Sequence, residues 1–162
     1  MNLYSVVLLL VLLHVANGMP VMANWLIGNR WNWALDCGLK LPDGQRLLGP
    51  TKTLRGVALA ITATSLVSSL IGLSWTFGAI IGAGAMAGDL VSSFAKRRLK
   101  LAPSNMAVGI DQIPESLLPA ILARWFLPLS GLDILFTTVF FFVGELLLSP
   151  ILFKFGIRDR PY

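Results

Sequence analysis

Apolar residues in this chain gather into five runs, at residues 3–27, 57–73, 75–95, 116–129 and 132–155. Polar segments bearing glycine and proline separate them. A helix that crosses a bilayer needs ~20 mostly apolar residues, and the first, third and fifth runs meet that length. The second is slightly short and rich in Ser and Thr. The fourth contains Pro119 and Arg124 and ends at Pro128, so the pattern predicts a short or tilted helix packed inside a bundle. The expected fold is all-α: a polytopic membrane protein with five transmembrane helices, residues 1–162 forming one integral-membrane domain. Two long loops, 28–56 and 99–115, are left over to build a polar site.

Composition strengthens the membrane reading. The chain is 56% hydrophobic and 13% charged, with a mean hydropathy of +0.75, and soluble domains carry about twice that charged fraction. A secretory signal is the rival reading of the first run, but no Lys or Arg precedes Arg30 and such signals carry a positive n-region. Of the 13 Lys and Arg residues, five lie between Arg30 and Arg55, four between Lys96 and Lys100, and three between Lys154 and Arg160. Basic loops stay cytoplasmic. Five spans then put the N-terminus outside, and the C-terminus and both long loops inside. The pI of 9.9 thus describes one face of the protein, and no nucleic-acid-binding motif accompanies it. Cys37 is the single cysteine, which excludes a disulfide framework within the chain and a thiolate metal site.

Chemistry concentrates where the third run ends. Gly78, Gly82, Gly84 and Gly88 stand at GxxxG spacings, which let helix backbones approach closely in lipid; Gly88, beside the charged end, is also a candidate for ligand contact. Then come Asp89, Ser92, Ser93, Lys96, Arg97, Arg98 and Lys100. At about 100° per residue, Asp89, Ser93, Lys96 and Lys100 share a stripe roughly 60° wide, flanked by Ser92 and Arg97. Arg98 points away, toward lipid headgroups. A magnesium-bound nucleoside triphosphate needs a carboxylate for the metal and cations for its phosphates, and this stripe offers both. The bland alternative is a basic collar with Asp89 paired to Lys96. In the second loop, Asp111 and Glu115 are either counter-charges or a source of a second metal carboxylate.

The first loop carries Asp36, Asp43 and a segment from Gly49 through Lys52, Thr53 and Arg55 into the second helix. A Lys-Thr pair at a helix N-terminus suits phosphate, although no Walker A spacing precedes it. The alternative is a plain helix start with Thr53 as N-cap. His14, the single histidine, reads as a packing residue because no second histidine exists to build a metal site. Asp133 and Glu145 are intramembrane acids and functional candidates by default; a structural pair of Asp133 with Arg124 is the competing reading.

Three segments together carry a family resemblance: Ala16-Asn17-Gly18-Met19-Pro20-Val21, the stretch from Asp43 to Gly56, and Gly88 to Arg98 with Asp111-Gln112. In this order the chain resembles the archaeal CDP-archaeol synthases, within the wider family of membrane CTP:phosphatidate cytidylyltransferases. Bacterial relatives have a longer signature with His-Gly-Gly and an Asp-Arg pair. Here Asp111-Gln112 stands where Asp-Arg would, and His-Gly-Gly is missing, which points to the archaeal branch. The resemblance implies that CTP and 2,3-bis-O-geranylgeranylglycerol phosphate, an isoprenoid diether glycerol phosphate, yield the CDP-activated lipid and pyrophosphate. It implies Mg²⁺ on Asp89 and Asp111, with Lys96 joining them in catalysis. Phosphate contacts would come from Lys52, Thr53, Arg55, Ser92, Ser93 and Arg97, and membrane lipids would surround the bundle. Two rivals differ in class. A CDP-alcohol phosphotransferase needs a series of acids spaced along helices, and the single Asp43-Gly44 pair does not supply it. A channel or carrier subunit needs polar residues right across the membrane, whereas charge here clusters on one face.

Overall fold

The computed structural model describes residues 2–28, 30–101 and 107–157, and five helices run through them in order: α1 Leu3–Ile27, α2 Leu54–Leu70, α3 Trp75–Arg98, α4 Gln112–Ala123 and α5 Gly131–Lys154. Local chemistry sets their starts. Asn2, Thr53, Ser74 and Ser130 each cap a helix by accepting a backbone N–H from three residues on, which satisfies a donor the helix itself cannot. At α5 the cap is reciprocal, because the Asp133 carboxylate accepts the Ser130 N–H at 2.9 Å. There is no strand among the described residues, only isolated bridges between Ala34 and Thr53 and between Lys40 and Arg46 in the first loop.

α1, α3 and α5, of 25, 24 and 24 residues, are long and apolar enough to cross a membrane. α2 has 17 residues and α4 only 12. At ~1.5 Å per residue these are about 26 and 18 Å long. Exposed aromatic side chains cluster at both ends of the bundle: Trp25, Trp31 and Trp33 at one, Tyr4, Trp75 and Trp125 at the other. Such belts suit headgroup depth. Tyr4 and Trp25 sit 21 positions apart on α1, or about 31 Å, close to one hydrocarbon thickness.

The core is built on α1 and α3, with Leu9, Leu12, Leu13 and Ala16 against Phe77, Ile81 and Ala85, closed by Ala123, Leu129 and Phe141. Glycines set the helix spacing, as the sequence pattern predicts. A Cβ at Gly78 would stand 2.5 Å from the Thr64 carbonyl on α2, and one at Gly88 would stand 2.2 Å from the Pro114 carbonyl on α4. Gly88 therefore faces a neighbouring backbone. It is a packing residue here, not the ligand contact entertained from sequence. Of the two readings of Asp133, the structural one holds but with other partners than Arg124: Asp133 accepts from Ser130 and from the Asn2 N–H at 2.8 Å. It thereby ties the starts of α1 and α5 together at the end opposite the charged loops.

Candidate active site at the charged end

The first loop folds back on itself before α2. Leu35 N–H donates to the Lys52 carbonyl at 2.8 Å and Leu54 N–H to the Trp33 carbonyl at 3.0 Å, so segments 33–35 and 52–54 run antiparallel. This hairpin delivers Lys52 to α3, where its ammonium donates to both oxygens of Asp89 at 2.6 Å. The two residues are 37 positions apart. The collar reading, with Asp89 paired to Lys96, is thereby corrected. Lys96 instead pairs with Asp111 at 2.7 Å, because α3's close approach to α4 at Gly88 brings the second loop over the last turns of α3.

Glu115, on the first turn of α4, completes the cluster. Its carboxyl lies close enough to that of Asp89 for the two to interact, and both residues are only partly exposed. Two carboxyls in contact repel unless they share a proton or a cation lies beside them. Lys52 serves here. Burial works against the charge of Lys52, but attraction to Asp89, then Glu115, and more weakly Asp111 outweighs it. The pKa of Lys52 is raised, and it remains an ammonium at neutral pH.

At the same end of the bundle lies Arg97, a cation that Asp111 attracts but that forms no salt bridge among the described residues. Arg97 is 5% exposed, and its Nε is buried without a hydrogen-bond partner. One turn earlier the Ser93 hydroxyl is buried and equally unpartnered. A buried guanidinium normally has a partner. The last-turn position of Lys96, Arg97 and Arg98 complements the helix dipole, but a dipole does not saturate N–H donors. The turn at Gly49 covers Arg97: a Cβ at Gly49 would lie 3.8 Å from Arg97 Cδ. These unmet donors lie at the same end of the bundle as the Asp89–Glu115 pair, and Asp111 links the two groups, attracting both Arg97 and Lys52.

Other expected site residues do different work. Thr53 accepts the Gly56 N–H at 3.1 Å, so it is the N-cap, as the plainer reading had it. The Arg55 guanidinium donates to the carbonyls of Gly28, at 2.9 Å, and Arg30, anchoring the first loop to the end of α1. Ser92 donates to the Asp89 carbonyl at 2.9 Å and is spent within its own helix. Arg98 does not reach for headgroups: it donates to Asp43 at 2.6 Å and to the Arg46 carbonyl at 2.8 Å. Asp111 Oδ2 accepts the Ala107 N–H at 3.0 Å. The structure thus brings Lys52, Asp89, Ser93, Lys96, Arg97 and Asp111 to one end of the bundle. It adds Glu115, which sequence gave only as a counter-charge or one source of a second carboxylate. Its signal was an acid four residues after Asp111, beside Pro114, at the end of the loop.

The donor set fits a magnesium ion. Asp89 and Glu115 present carboxylate oxygens together, and among the described residues no group of three His, Cys, Asp or Glu side chains forms a metal cluster. Mg²⁺ is commonly held by one or two carboxylates with water and substrate phosphates filling the rest, so two suffice.

Comparison with known proteins converges on one family. The chain matches the CarS-like CDP-archaeol synthase family over residues 2–162. It is 32% identical over 155 residues to the CDP-archaeol synthase of Thermofilum pendens, covering 92% of this chain and 76% of that protein. It is 34% identical over 127 residues to the one from Sulfurisphaera tokodaii, covering 74% and 76%. A solved structure of an intramembrane enzyme for archaeal membrane lipid biosynthesis superposes with a TM-score of 0.74 at 28% identity, covering 91% of this chain and 94% of the other.

Proposed function

The chain belongs to the CDP-archaeol synthase family, and from that premise we propose that it transfers the CMP moiety of CTP to 2,3-bis-O-geranylgeranylglycerol phosphate. The products are a CDP-activated diether lipid and pyrophosphate. The observation that carries this reading is the gathering at one end of the bundle of the Asp89–Glu115 carboxyl pair, Lys52, the Lys96–Asp111 pair and the buried Arg97 that Asp111 attracts. A metal-bound triphosphate is the ligand class that meets both demands.

In the proposed reaction an oxygen of the lipid phosphate attacks the α-phosphorus of CTP. The bond from that phosphorus to the bridging oxygen of the β-phosphate breaks, and pyrophosphate leaves. The nucleophile is already an anion, so no strong general base is needed. What the protein supplies is positioning and charge stabilisation. Asp89 and Glu115 would hold Mg²⁺, with Asp111 nearby; when bound, the ion neutralises charge on the triphosphate. Lys52 and Lys96, held in place by Asp89 and Asp111, would donate to phosphate oxygens from the same end of the bundle. Arg97 and Ser93 would donate to phosphate oxygens directly. In this reading Thr53, Arg55 and Ser92 support the site without touching the ligand.

We further propose that all five helices traverse or line the membrane, α4 as a short element inside the bundle. The N-terminus then lies outside, with the C-terminus and both long loops in the cytoplasm, where CTP is available. The arrangement rests on the basic residues of the loops, 9 of 13 Lys and Arg falling within residues 30–100. The direct test incubates purified protein in lipid nanodiscs with α-³²P-CTP, Mg²⁺ and diether glycerol phosphate. Label should move into lipid with release of one pyrophosphate, and EDTA should abolish it. Label transfer that ignores EDTA, or none with any lipid phosphate, refutes the proposal.

A further inference from the structure

The carboxylate of Asp36 accepts five hydrogen bonds, and no step above uses it. It accepts the backbone N–H groups of Gly49 at 2.9 Å, Gly38 at 3.1 Å and Leu48 at 3.2 Å. It also accepts Arg46 Nε at 3.2 Å and Arg46 Nη2. Its side chain is 0% exposed. A carboxylate offers about four lone-pair positions, so five donors leave none for a metal or a ligand. Whatever Asp36 does, it does through the groups it holds.

Those groups lead to the site by two routes. Gly49 is the turn that lies on Arg97, with φ +105°. Arg46 is held in turn at its carbonyl by Arg98, the residue next to Arg97. On the other route, Leu35 precedes Asp36 and is bonded to the Lys52 carbonyl. The Asp36 bonds to Leu48 and Gly49 therefore close the loop three residues before Lys52.

We propose that Asp36 is a positioning residue for the nucleotide site: it locks the Leu48–Gly49 turn over Arg97 and, by closing the hairpin, fixes where Lys52 presents its ammonium. The inference rests on the reading that Lys52 and Arg97 hold the phosphates of CTP. It predicts that Asp36 governs CTP affinity while leaving the bundle and the lipid subsite alone, because its partners are all in the first loop.

The test uses full-length protein in nanodiscs and three variants. Asp36→Asn keeps the shape but puts an NH₂ group against N–H donors and loses the Arg46 ion pair. Bonds to a charged group of this kind correspond to roughly ten- to hundredfold in affinity, and Mg-CTP binding by titration calorimetry should weaken by that factor. The KM for lipid phosphate at saturating CTP should stay at the wild-type value. Asp36→Glu retains the charge and should recover most of the CTP affinity. Lys52→Ala reports on the parent reading: wild-type CTP affinity there would sink that reading. Wild-type affinity in Asp36→Asn with Lys52→Ala impaired would overturn this inference alone. So would equal loss of melting temperature in the Asn and Glu variants, which marks a general folding role.

Discussion

Gly88→Ala probes fold and site at once. A Cβ at this position would stand 2.2 Å from the Pro114 carbonyl oxygen, 2.5 Å from the Pro114 carbonyl carbon and 2.7 Å from the Glu115 nitrogen. All three are backbone atoms, so no rotamer change relieves the overlap. Ordinary contact begins near 3.4 Å, and α3 and α4 must part by about 1 Å. Overpacking of this kind costs typically 1–3 kcal/mol, and a rigid backbone obstacle places it at the upper end. A control shows what the methyl does without the clash: at Gly18, inside α1, nothing lies within 4 Å. Ala there should be neutral or stabilising by about 0.5–1 kcal/mol. The functional consequence follows from the neighbours. Gly88 adjoins Asp89, and the obstacle is the peptide leading into Glu115, so the same displacement separates the two carboxyls. Misplacement by about 1 Å can lower a rate by roughly a hundredfold. The assay is CTP-dependent lipid labelling together with thermal unfolding in nanodiscs. Gly88→Ala should lose melting temperature and about two orders of magnitude in kcat/KM, while Gly18→Ala loses neither. A Gly88→Ala protein with wild-type melting and turnover would show that the α3–α4 contact does not set the site.

Three further expectations concern the charges. Asp89→Asn should abolish nearly all nucleotidyl transfer across a Mg²⁺ titration while the protein stays folded, since Glu115 and Asp111 still attract Lys52; near-normal turnover at any Mg²⁺ concentration would remove Asp89 from the metal site. Lys52→Ala and Lys96→Ala should each weaken CTP use, and the double variant should lose clearly less than the sum, as neighbouring groups on one ligand do. Strictly additive losses would mean the two lysines serve separate anions. Cys37 is exposed in the first loop, so a membrane-impermeant thiol reagent should label it only from the cytoplasmic side, and labelling of intact cells would reverse the proposed orientation.

Much of the fold is local and therefore legible. Hydrophobic runs and capping residues act over one or two turns, and the run at 3–27 matches α1 residue for residue. Other boundaries move, and at α2 the cap outranks hydropathy. α2 starts at Leu54 under the Thr53 cap, three residues before the apolar run, and α4 closes at Ala123, well short of the run's end at residue 129. The glycine spacing of α3 also announced close packing, and four of those glycines do face neighbouring helices.

The sequence by itself determined that this is an apolar helical bundle with its chemistry on one face, and it named most of the groups that collect there. It did not determine who meets whom. Lys52 and Asp89, Lys96 and Asp111, and Asp89 and Glu115 come together across 37, 15 and 26 positions. Periodicity says nothing about distances of that kind. Those pairings accompany the closeness of α3 to α4 at Gly88 and the folding back of the first loop, in which Asp36 accepts five hydrogen bonds. Thr53, Arg55 and Arg98 were chemically eligible for phosphate, but a cap, two carbonyls and Asp43 claimed them. Arg97 was left unclaimed among the described residues and buried. Eligibility is a property of a residue type; availability depends on what the fold has already bonded, and only the tertiary structure decides that.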